Sequence, residues 1–326
     1  MSEIRHDSHT DRTTIFAAHR QDRPQVFGSA AAKSCPFCRG NEHETPPAVA
    51  VYQQDGHPDT GEWQVRVVPN KFPALTPRDP GQPAIPNGSE PIPSYGVHEV
   101  FIESPDHIRS LTQLATAKAQ LVLRAYQDRL QTLSSIGELQ YAQIFKNVGV
   151  NAGASIEHSH SQLLAVEEVP ATLQHAFQAS QQYHSQTGQL LHQAWIEDAR
   201  KRQSVVSETD HMIAFCPRVP RFAWETWIMP QTHAPSFSEA TQAVLEDAAI
   251  LLQDIIRRLE SLHPQVAYNY LLLTAPFDTS QHDHYHWRME CFPRLDKAAG
   301  FEWATGWFLN TMPPETAAKQ LRRVNL

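Results

Sequence analysis

Three polar residues at alternate positions follow an apolar run and a loop of small residues near the middle of the chain. They are His158, His160 and Gln162. In an extended strand, side chains two positions apart lie on the same face, roughly 6–7 Å from each other. The opposite face would carry Ser159 and Ser161, where an ordinary half-buried strand carries Val, Ile or Leu. The pattern therefore predicts a strand that presents two imidazoles and an amide to one functional site rather than to a core.

Two cysteines in the order Cys-x-x-Cys form a second candidate site. Cys35 and Cys38 indicate either half of a zinc site or a thioredoxin-like redox pair. A redox pair is expected to open a helix after a strand, but Pro46, Pro47 and polar residues follow here, so the sequence favours a metal. Zinc would need two further ligands, and the chain has 18 histidines, which is a high number for 326 residues.

A pair of arginines near the N-terminus is a third candidate. Arg20 and Arg23 precede Pro24. A guanidinium fork matches phosphate oxygens, so the pair could clamp a phosphorylated ligand. The same residues could equally lie on a solvated edge, and the sequence leaves both alternatives open.

Length and composition limit the classes of function. A chain of 326 residues with a charged fraction of 19% is long enough for two soluble domains. Its net charge of -8 argues against an extensive surface for nucleic acid or for an anionic membrane. No apolar run approaches the roughly 20 residues of a membrane span. The first residues lack the apolar core of a secretory signal, and four cysteines make no disulfide framework, so we expect a cytoplasmic enzyme.

The elements that must position these residues follow from apolar periodicity. Residues 63–69, 97–103 and 140–148 read as strands, and the last of them leads into the loop before His158. From Ile108 to Leu133, apolar residues recur at helical spacing and predict a long amphipathic helix.

The second half of the chain repeats this order of elements. An offset of 126 residues maps His107 onto His233 and His160 onto His286, and a second amphipathic helix is predicted from about Ser238 to Leu262. No Cys-x-x-Cys precedes the second half. We therefore predict that the first half is catalytic and that the second supplies scaffold and specificity.

Together these motifs resemble the galactose-1-phosphate uridylyltransferase family of the histidine-triad superfamily, across nearly the whole chain. The matching motifs are Arg20-x-x-Arg23-Pro24, Cys35-Pro36-Phe37-Cys38, Asn70 before an aromatic residue, His98 on its strand, and Asn147-x5-Gly153-x-Ser155-x2-His158-x-His160-x-Gln162. The tail is similar to the plant-type ADP-glucose phosphorylase branch of this family. Glu302, Trp307 and Phe308 stand there, where the Leloir-pathway enzymes carry Lys, Tyr and Glu for the hexose.

The resemblance implies an α+β fold of two tandem histidine-triad-like domains. Residues 1–170 would form the catalytic domain with a zinc site, and residues 171–326 would form a second, degenerate domain. Each domain would be a mainly antiparallel sheet with a long amphipathic helix. The family also implies a homodimer with shared active sites.

The resemblance implies a role for each matched residue. His160 would be the nucleophile that attacks the α-phosphorus of a nucleotide sugar, and Gln162 would donate an amide N–H to the developing charge. The residues implied to bind substrate are Arg20, Arg23, Asn70, Asn147, Gly153, Ser155, Glu302 and Thr305. Among these, the two arginines would act from the partner subunit.

The resemblance also implies one structural zinc ion. Its tetrahedral ligands would be Cys35, Cys38, His98 and His158. Plant-type members pair another Cys-x-x-Cys with histidines at the positions of His233 and His286, but residues 188–193 contain no cysteine here. Two imidazoles alone make a weak site, so the sequence favours hydrogen-bonded core histidines at that place.

The implied function is that of a nucleotidyltransferase. It would move UMP or AMP between UDP-glucose or ADP-glucose and a hexose-1-phosphate or inorganic phosphate, through a nucleotidyl-His160 intermediate. Two alternatives stay open on the residues: a dinucleotide phosphorylase or hydrolase that uses the same histidine, and a non-catalytic, zinc-stabilised nucleotide-binding protein. Retention of both His160 and Gln162 favours an enzyme, because binding alone does not need the two together.

Overall fold

Strands and helices follow each other in nearly the same order in the two halves of the chain. The computed structural model describes residues 2–7, 10, 12–23, 35–53, 62–79 and 92–326. The strands are β1 (Glu3–Asp7), β2 (Arg12–Phe16), β3 (Ala50–Tyr52), β4 (Val65–Pro69), β5 (Ile92–Pro93), β6 (Gly96–Ile102), β7 (Tyr141–Val148), β8 (His160–Val166), β9 (Val205–Glu208), β10 (Met212–Phe215), β11 (Thr226–Pro230), β12 (Tyr268–Leu273) and β13 (Arg288–Pro293). The helices are α1 (Thr116–Ser134), α2 (Ala171–Thr187), α3 (Leu191–Lys201), α4 (Gln242–Leu262), α5 (Gly300–Thr305) and α6 (Pro314–Arg322).

One large antiparallel sheet joins the two halves. Its described strands lie in the order β3-β4-β6-β8-β7-β12-β13-β11-β10-β9, and β7 pairs with β12 at the junction. The predicted α+β fold with mainly antiparallel sheets is confirmed, but the sheets of the two halves are continuous. One hydrophobic core contains residues of both halves. The division into domains after residue 170 stays a prediction.

Helices α1 and α4 pack against each other and against strands of the sheet. Their apolar stripes supply much of the core, as expected for amphipathic helices that cover a sheet. Both begin later than predicted, because a short 3-10 turn precedes each of them. The side chains of Ser110 and Ser236 cap these turns: each accepts a hydrogen bond from the backbone N–H of the residue two positions later. Such local hydrogen bonds compete with those of an α-helix, so the α-helix begins only after the turn.

The segment between the two halves forms α2 and α3. In the part of the chain that the structure describes, every helix is too short or too polar to cross a membrane.

The catalytic strand predicted from the sequence is β8, and it lies between β6 and β7 in the sheet. The ladders pair Ile102 with His160 on one side and Lys146 with Ser161 on the other. Two neighbouring strands therefore hold the predicted nucleophile at the start of β8.

The duplication is visible in the order of the elements, but the sequence offset between matching residues is not constant. It is 126 residues between Ser104 and Pro230, and it is 128 residues between His158 and His286. His158 Nε2 lies 2.9 Å from the carbonyl oxygen of Ser104, and His286 Nε2 lies 2.9 Å from that of Pro230. His286 is therefore the counterpart of His158, and the predicted correspondence of His160 with His286 is wrong. Since β8 begins at His160 and β13 begins at Arg288, the counterpart of the predicted nucleophile is Arg288.

Candidate active site and metal centre

His160 is held in one tautomer by the backbone next to it. Its Nδ1 lies 2.7 Å from the carbonyl oxygen of His158, and a carbonyl can only accept, so Nδ1 carries the proton. The Nε2 atom therefore keeps its lone pair. Burial lowers the pKa of His160 to about 4, so the ring is neutral at pH 7. A neutral imidazole with a free Nε2 is a competent nucleophile.

A cavity of about 250 Å³ lies against His160. Four of the other residues predicted to act in catalysis or substrate binding line it: Arg23, Asn70, Ser155 and Gln162. Arg23 lines the cavity of its own chain, whereas the resemblance implied that it acts from a partner subunit. Its buried Nε has no hydrogen-bond partner among the described residues, which leaves a cationic donor for a ligand. The structure thus gathers residues from distant parts of the chain around one imidazole.

Gln162 is oriented by His98. The backbone N–H of Ala74 donates to His98 Nδ1 at 3.0 Å, so the ring proton lies on Nε2. That Nε2–H donates to Gln162 Oε1 at 3.0 Å. Because the amide oxygen of Gln162 is engaged, its NH2 group is left for the cavity. Arg20 lies next to His98, with Nη1 at 3.4 Å from His98 Nδ1 and at 2.5 Å from the carbonyl oxygen of Phe72.

Four residues can hold a metal ion beside the cavity: Cys35, Cys38, His107 and His158. Their ligand atoms lie within 4.8 Å of one another. His158 Nε2 donates to a backbone carbonyl, so its Nδ1 lone pair points to the sulfur atoms, 3.6 Å from Cys35 Sγ and 3.5 Å from Cys38 Sγ. His107 Nδ1 lies 3.4 Å from Cys38 Sγ. Two thiolates and two imidazoles suit a closed, structural zinc site.

His98 is not part of this cluster, and its prediction as the fourth ligand is corrected to His107. Both ring nitrogens of His98 already have hydrogen-bond partners, Ala74 and Gln162. His98 lies within β6, whereas His107 follows the end of that strand and can turn toward the cysteines. A sequence signal for His107 existed, because it is the repeat counterpart of His233, which was placed in the second candidate metal site.

The loop from Cys35 to Cys38, called the metal loop below, also forms a wall of the cavity. Phe37 lies between the two cysteines in sequence, and its ring centroid is 5.2 Å from that of His160. The same ring meets His158 edge-on at 6.0 Å. A metal that holds this loop would therefore also hold an aromatic side chain against His160.

Comparison with known proteins decides the family. The family model described as galactose-1-phosphate uridyl transferase, N-terminal domain, matches residues 1–170. The ADP-glucose phosphorylase of Arabidopsis thaliana is 32% identical over 335 residues, which cover 99% of this chain and 93% of that protein. The chain belongs to the galactose-1-phosphate uridylyltransferase family.

Solved structures agree with this membership. An ADP-glucose phosphorylase from Arabidopsis thaliana with bound ADP-glucose aligns with a TM-score of 0.80 at 31% identity, and the alignment covers 100% of both chains.

A further sequence relative is the galactose-1-phosphate uridylyltransferase of Thermotoga maritima, which is 27% identical over 339 residues, covering 100% of this chain and 99% of that protein. A family described only as a domain of unknown function matches residues 104–324. This member of the uridylyltransferase family is a nucleotidyltransferase.

Asn147 and Gly153 shape the small-residue loop that precedes His160. Asn147 Oδ1 accepts a hydrogen bond from Asn269 Nδ2 at 2.7 Å, so the second half of the chain holds this side chain. Gly153 has a φ of +86°, a conformation that favours glycine. Neither residue lines the cavity: Asn147 lies near the end of β7, and Gly153 lies in the loop that carries Ser155.

The family's tail residues lie away from the cavity of their own chain. Glu302 Oε2 accepts the backbone N–H of Ala299 at 2.9 Å and caps α5, and Thr305 Oγ1 donates to the carbonyl oxygen of Phe301. Neither residue is among those that line the cavity. Within one chain these two side chains are therefore not in place to bind a substrate in the cavity.

Pro24, the last residue of the N-terminal arginine motif, lies outside the described residues.

A second cluster contains a third imidazole that the sequence did not indicate. His192, on α3, joins His233 and His286, and the rings of His192 and His286 stack at 3.9 Å. Within the part of the chain that the structure describes, both nitrogens of buried His192 lack a hydrogen-bond partner. His286, however, accepts the backbone N–H of Ala234 at Nδ1, and its Nε2 donates to a carbonyl. With one of three rings fully engaged, this donor set fits a metal less well than the first cluster does.

Proposed function

We propose that the enzyme transfers a nucleoside monophosphate from a nucleotide sugar to a phosphate acceptor through nucleotidyl-His160. The supporting observation is the neutral His160 ring, whose Nδ1 is fixed by a backbone carbonyl and whose cavity also contains Gln162 and Arg23. Covalent catalysis of this kind divides one displacement into two easier ones.

In the first step, His160 Nε2 attacks the α-phosphorus and forms a P–N bond. The bond from that phosphorus to the bridging oxygen breaks, and the sugar-1-phosphate leaves with the electron pair. The amide N–H of Gln162 and the guanidinium of Arg23 face the cavity and would stabilise the charge that develops on the phosphoryl oxygens.

In the second step, an oxygen of the acceptor attacks the same phosphorus and the P–N bond breaks. Inorganic phosphate as acceptor would yield a nucleoside diphosphate, and a hexose-1-phosphate would yield a new nucleotide sugar. His160 returns to its neutral form, ready for another cycle.

We propose ADP-glucose as a donor at least as good as UDP-glucose. The relative that is 32% identical over nearly the whole chain is named ADP-glucose phosphorylase. The exposed side chains of Trp307 and Phe308 stand where the Leloir-pathway enzymes carry polar groups for the hexose, and a hydroxyl is selected strongly only where buried polar partners meet it.

A donor and acceptor panel tests this function. The protein is mixed separately with ADP-glucose, UDP-glucose and UDP-galactose, and intact-mass spectrometry measures the adduct. We expect an AMP adduct from ADP-glucose that disappears on addition of inorganic phosphate. A clear preference for UDP-glucose with galactose-1-phosphate, and no reaction with ADP-glucose, would instead support an ordinary uridylyltransferase. Absence of every adduct would contradict the covalent mechanism.

We further propose one structural zinc ion at Cys35, Cys38, His107 and His158, and a cytoplasmic homodimer. Zinc at this site would hold the loop from Cys35 to Cys38 next to His158, which lies two positions before His160. The exposed apolar side chains that follow Gly300 support a subunit contact, because Trp303 and Trp307 are 78% and 74% exposed in the single chain. A dimer would also allow Glu302 and Thr305 to reach the cavity of the partner.

Replacement of Gln162 by Ala should slow turnover without abolishing the adduct. The substitution removes one donor to the transferring phosphoryl group, and such a loss costs roughly 10²–10³ in rate. The control is Gln143→Ala on β7, where the amide binds the backbone oxygens of Ile144 and Leu272 instead of facing the cavity. Single-turnover kinetics measure both variants. A Gln162→Ala enzyme as fast as Gln143→Ala would contradict the assignment.

A further inference from the structure

The face of β8 opposite the cavity is polar and buried. Ser159 and Ser161 flank His160 in sequence, point away from the cavity and are each 1% exposed. They meet two buried charges, Glu103 and Lys146, which form an ion pair. An apolar core lies close by, so this face of the strand could have been filled with Val or Leu.

Hydrogen bonds join these groups into one network. Lys146 Nζ donates to Ser159 Oγ at 2.8 Å, and Ser159 Oγ donates to Glu103 Oε2 at 2.7 Å. The other carboxylate oxygen, Oε1, accepts from the hydroxyl of Tyr126 at 3.0 Å. The same hydroxyl lies 2.6 Å from Ser161 Oγ. Both serines beside the nucleophile are therefore tied to one carboxylate, directly or through one tyrosine.

The network connects β8 to four other places in the fold. Glu103 directly follows β6, Lys146 lies on β7 and Tyr126 lies on α1. The hydroxyl of Tyr270, on β12 of the second half, lies 2.6 Å from that of Tyr126. A shift or rotation of β8 would break several of these bonds at once.

Stability alone does not account for such a network. Replacing a buried ion pair by apolar side chains of similar volume is often neutral or even stabilising. Directional hydrogen bonds, in contrast, fix where a strand lies more narrowly than apolar packing does. In-line attack on phosphorus needs such accuracy, because a misplacement of about 1 Å can cost 10²-fold in rate.

We propose that Glu103 and Lys146 are positioning residues for His160. They hold Ser159 and Ser161 from the back of β8 and so aim the imidazole at the reacting phosphorus. This inference rests on the proposed function, since it assumes that His160 is the nucleophile.

The test is the double variant Glu103→Gln/Lys146→Met, which removes both charges and keeps the side-chain sizes. We expect the melting temperature and the metal content to stay close to those of the wild type. The KM for the nucleotide sugar should change less than about twofold, because the cavity wall is intact. The rate of adduct formation at saturating donor should fall roughly 10- to 100-fold. A wild-type rate in this folded variant would overturn the proposal.

The matched control is Glu99→Gln/Arg129→Met. In this ion pair Glu99 is buried and the Arg129 side chain is 11% exposed; two hydrogen bonds of 2.9 and 2.7 Å join β6 to α1, and neither of them involves the two serines. We expect the control to form the adduct at the wild-type rate. An equal loss of rate in both double variants would mean that any buried ion pair in this half has the same effect, and would overturn the specific role.

If Glu103→Gln/Lys146→Met does not fold, the single variant Ser161→Ala decides. It removes one hydroxyl from the back of β8, and a fall in the rate of adduct formation of roughly threefold or more at unchanged KM supports positioning. A wild-type rate in Ser161→Ala overturns it. Failure of the proposed function is distinguishable, because the wild-type protein would then form no adduct at all.

Discussion

His160→Gln is expected to fold, keep its metal and form no nucleotidyl adduct. Gln has no ring nitrogen that can form the P–N bond, while its amide fits the same place at the start of β8. Removal of a catalytic nucleophile from other enzymes costs up to about 10⁶ in rate, so we expect turnover to fall by at least about 10⁴. His160→Ala should behave in the same way.

Intact-mass spectrometry after mixing with ADP-glucose or UDP-glucose measures the adduct directly. The control is His175→Gln, which changes an exposed histidine on α2 that does not line the cavity. It should form the adduct as the wild type does. An adduct of nucleotide mass on His160→Gln would show that another side chain is the nucleophile and would overturn the mechanism.

The second large effect is expected at the metal centre, where His107→Ala should lose the bound zinc. Burial, and then the neighbouring Cys35, raise the pKa of Cys38 to about 12 in the metal-free site, so the thiol is neutral at pH 7. Zinc binding must expel that proton, and the binding free energy contributes directly to folding. Without zinc, the free energy of unfolding should fall by several kcal/mol, and the melting temperature should therefore fall by about 10 °C or more.

His98→Ala separates the two candidate fourth ligands. We expect this variant to retain about one zinc per chain, like the wild type, and to transfer the nucleotide slowly because Gln162 loses its hydrogen-bond donor. Metal analysis and thermal unfolding of both variants provide the measurement. Zinc lost in His98→Ala and retained in His107→Ala would restore the original assignment. Two zinc ions per wild-type chain, one of them lost in His233→Ala, would show that the second cluster also binds metal.

Local patterns in the sequence were sufficient to predict the strand that carries His160 and Gln162. Alternation at His158, His160 and Gln162 depends only on the geometry of an extended backbone, and the Cys-x-x-Cys spacing depends only on a short loop. For the same reason, the long helices were found from their apolar period, although their first turns were not. Those starts depended on serine side chains that cap a 3-10 turn, which periodicity does not report.

The tertiary structure alone decided what each polar residue meets. His98 and His107 are nine residues apart and equally suitable as ligands by type, but one belongs to a strand that faces Gln162 and the other to the turn beside the cysteines. The sequence indicated that Ser159 was unusual, yet its partner Lys146 lies on the neighbouring strand. Such pairings depend on strand register and on loops of variable length. The sequence by itself determined the chemical groups and their local spacing, and packing of distant segments determined which of them act together.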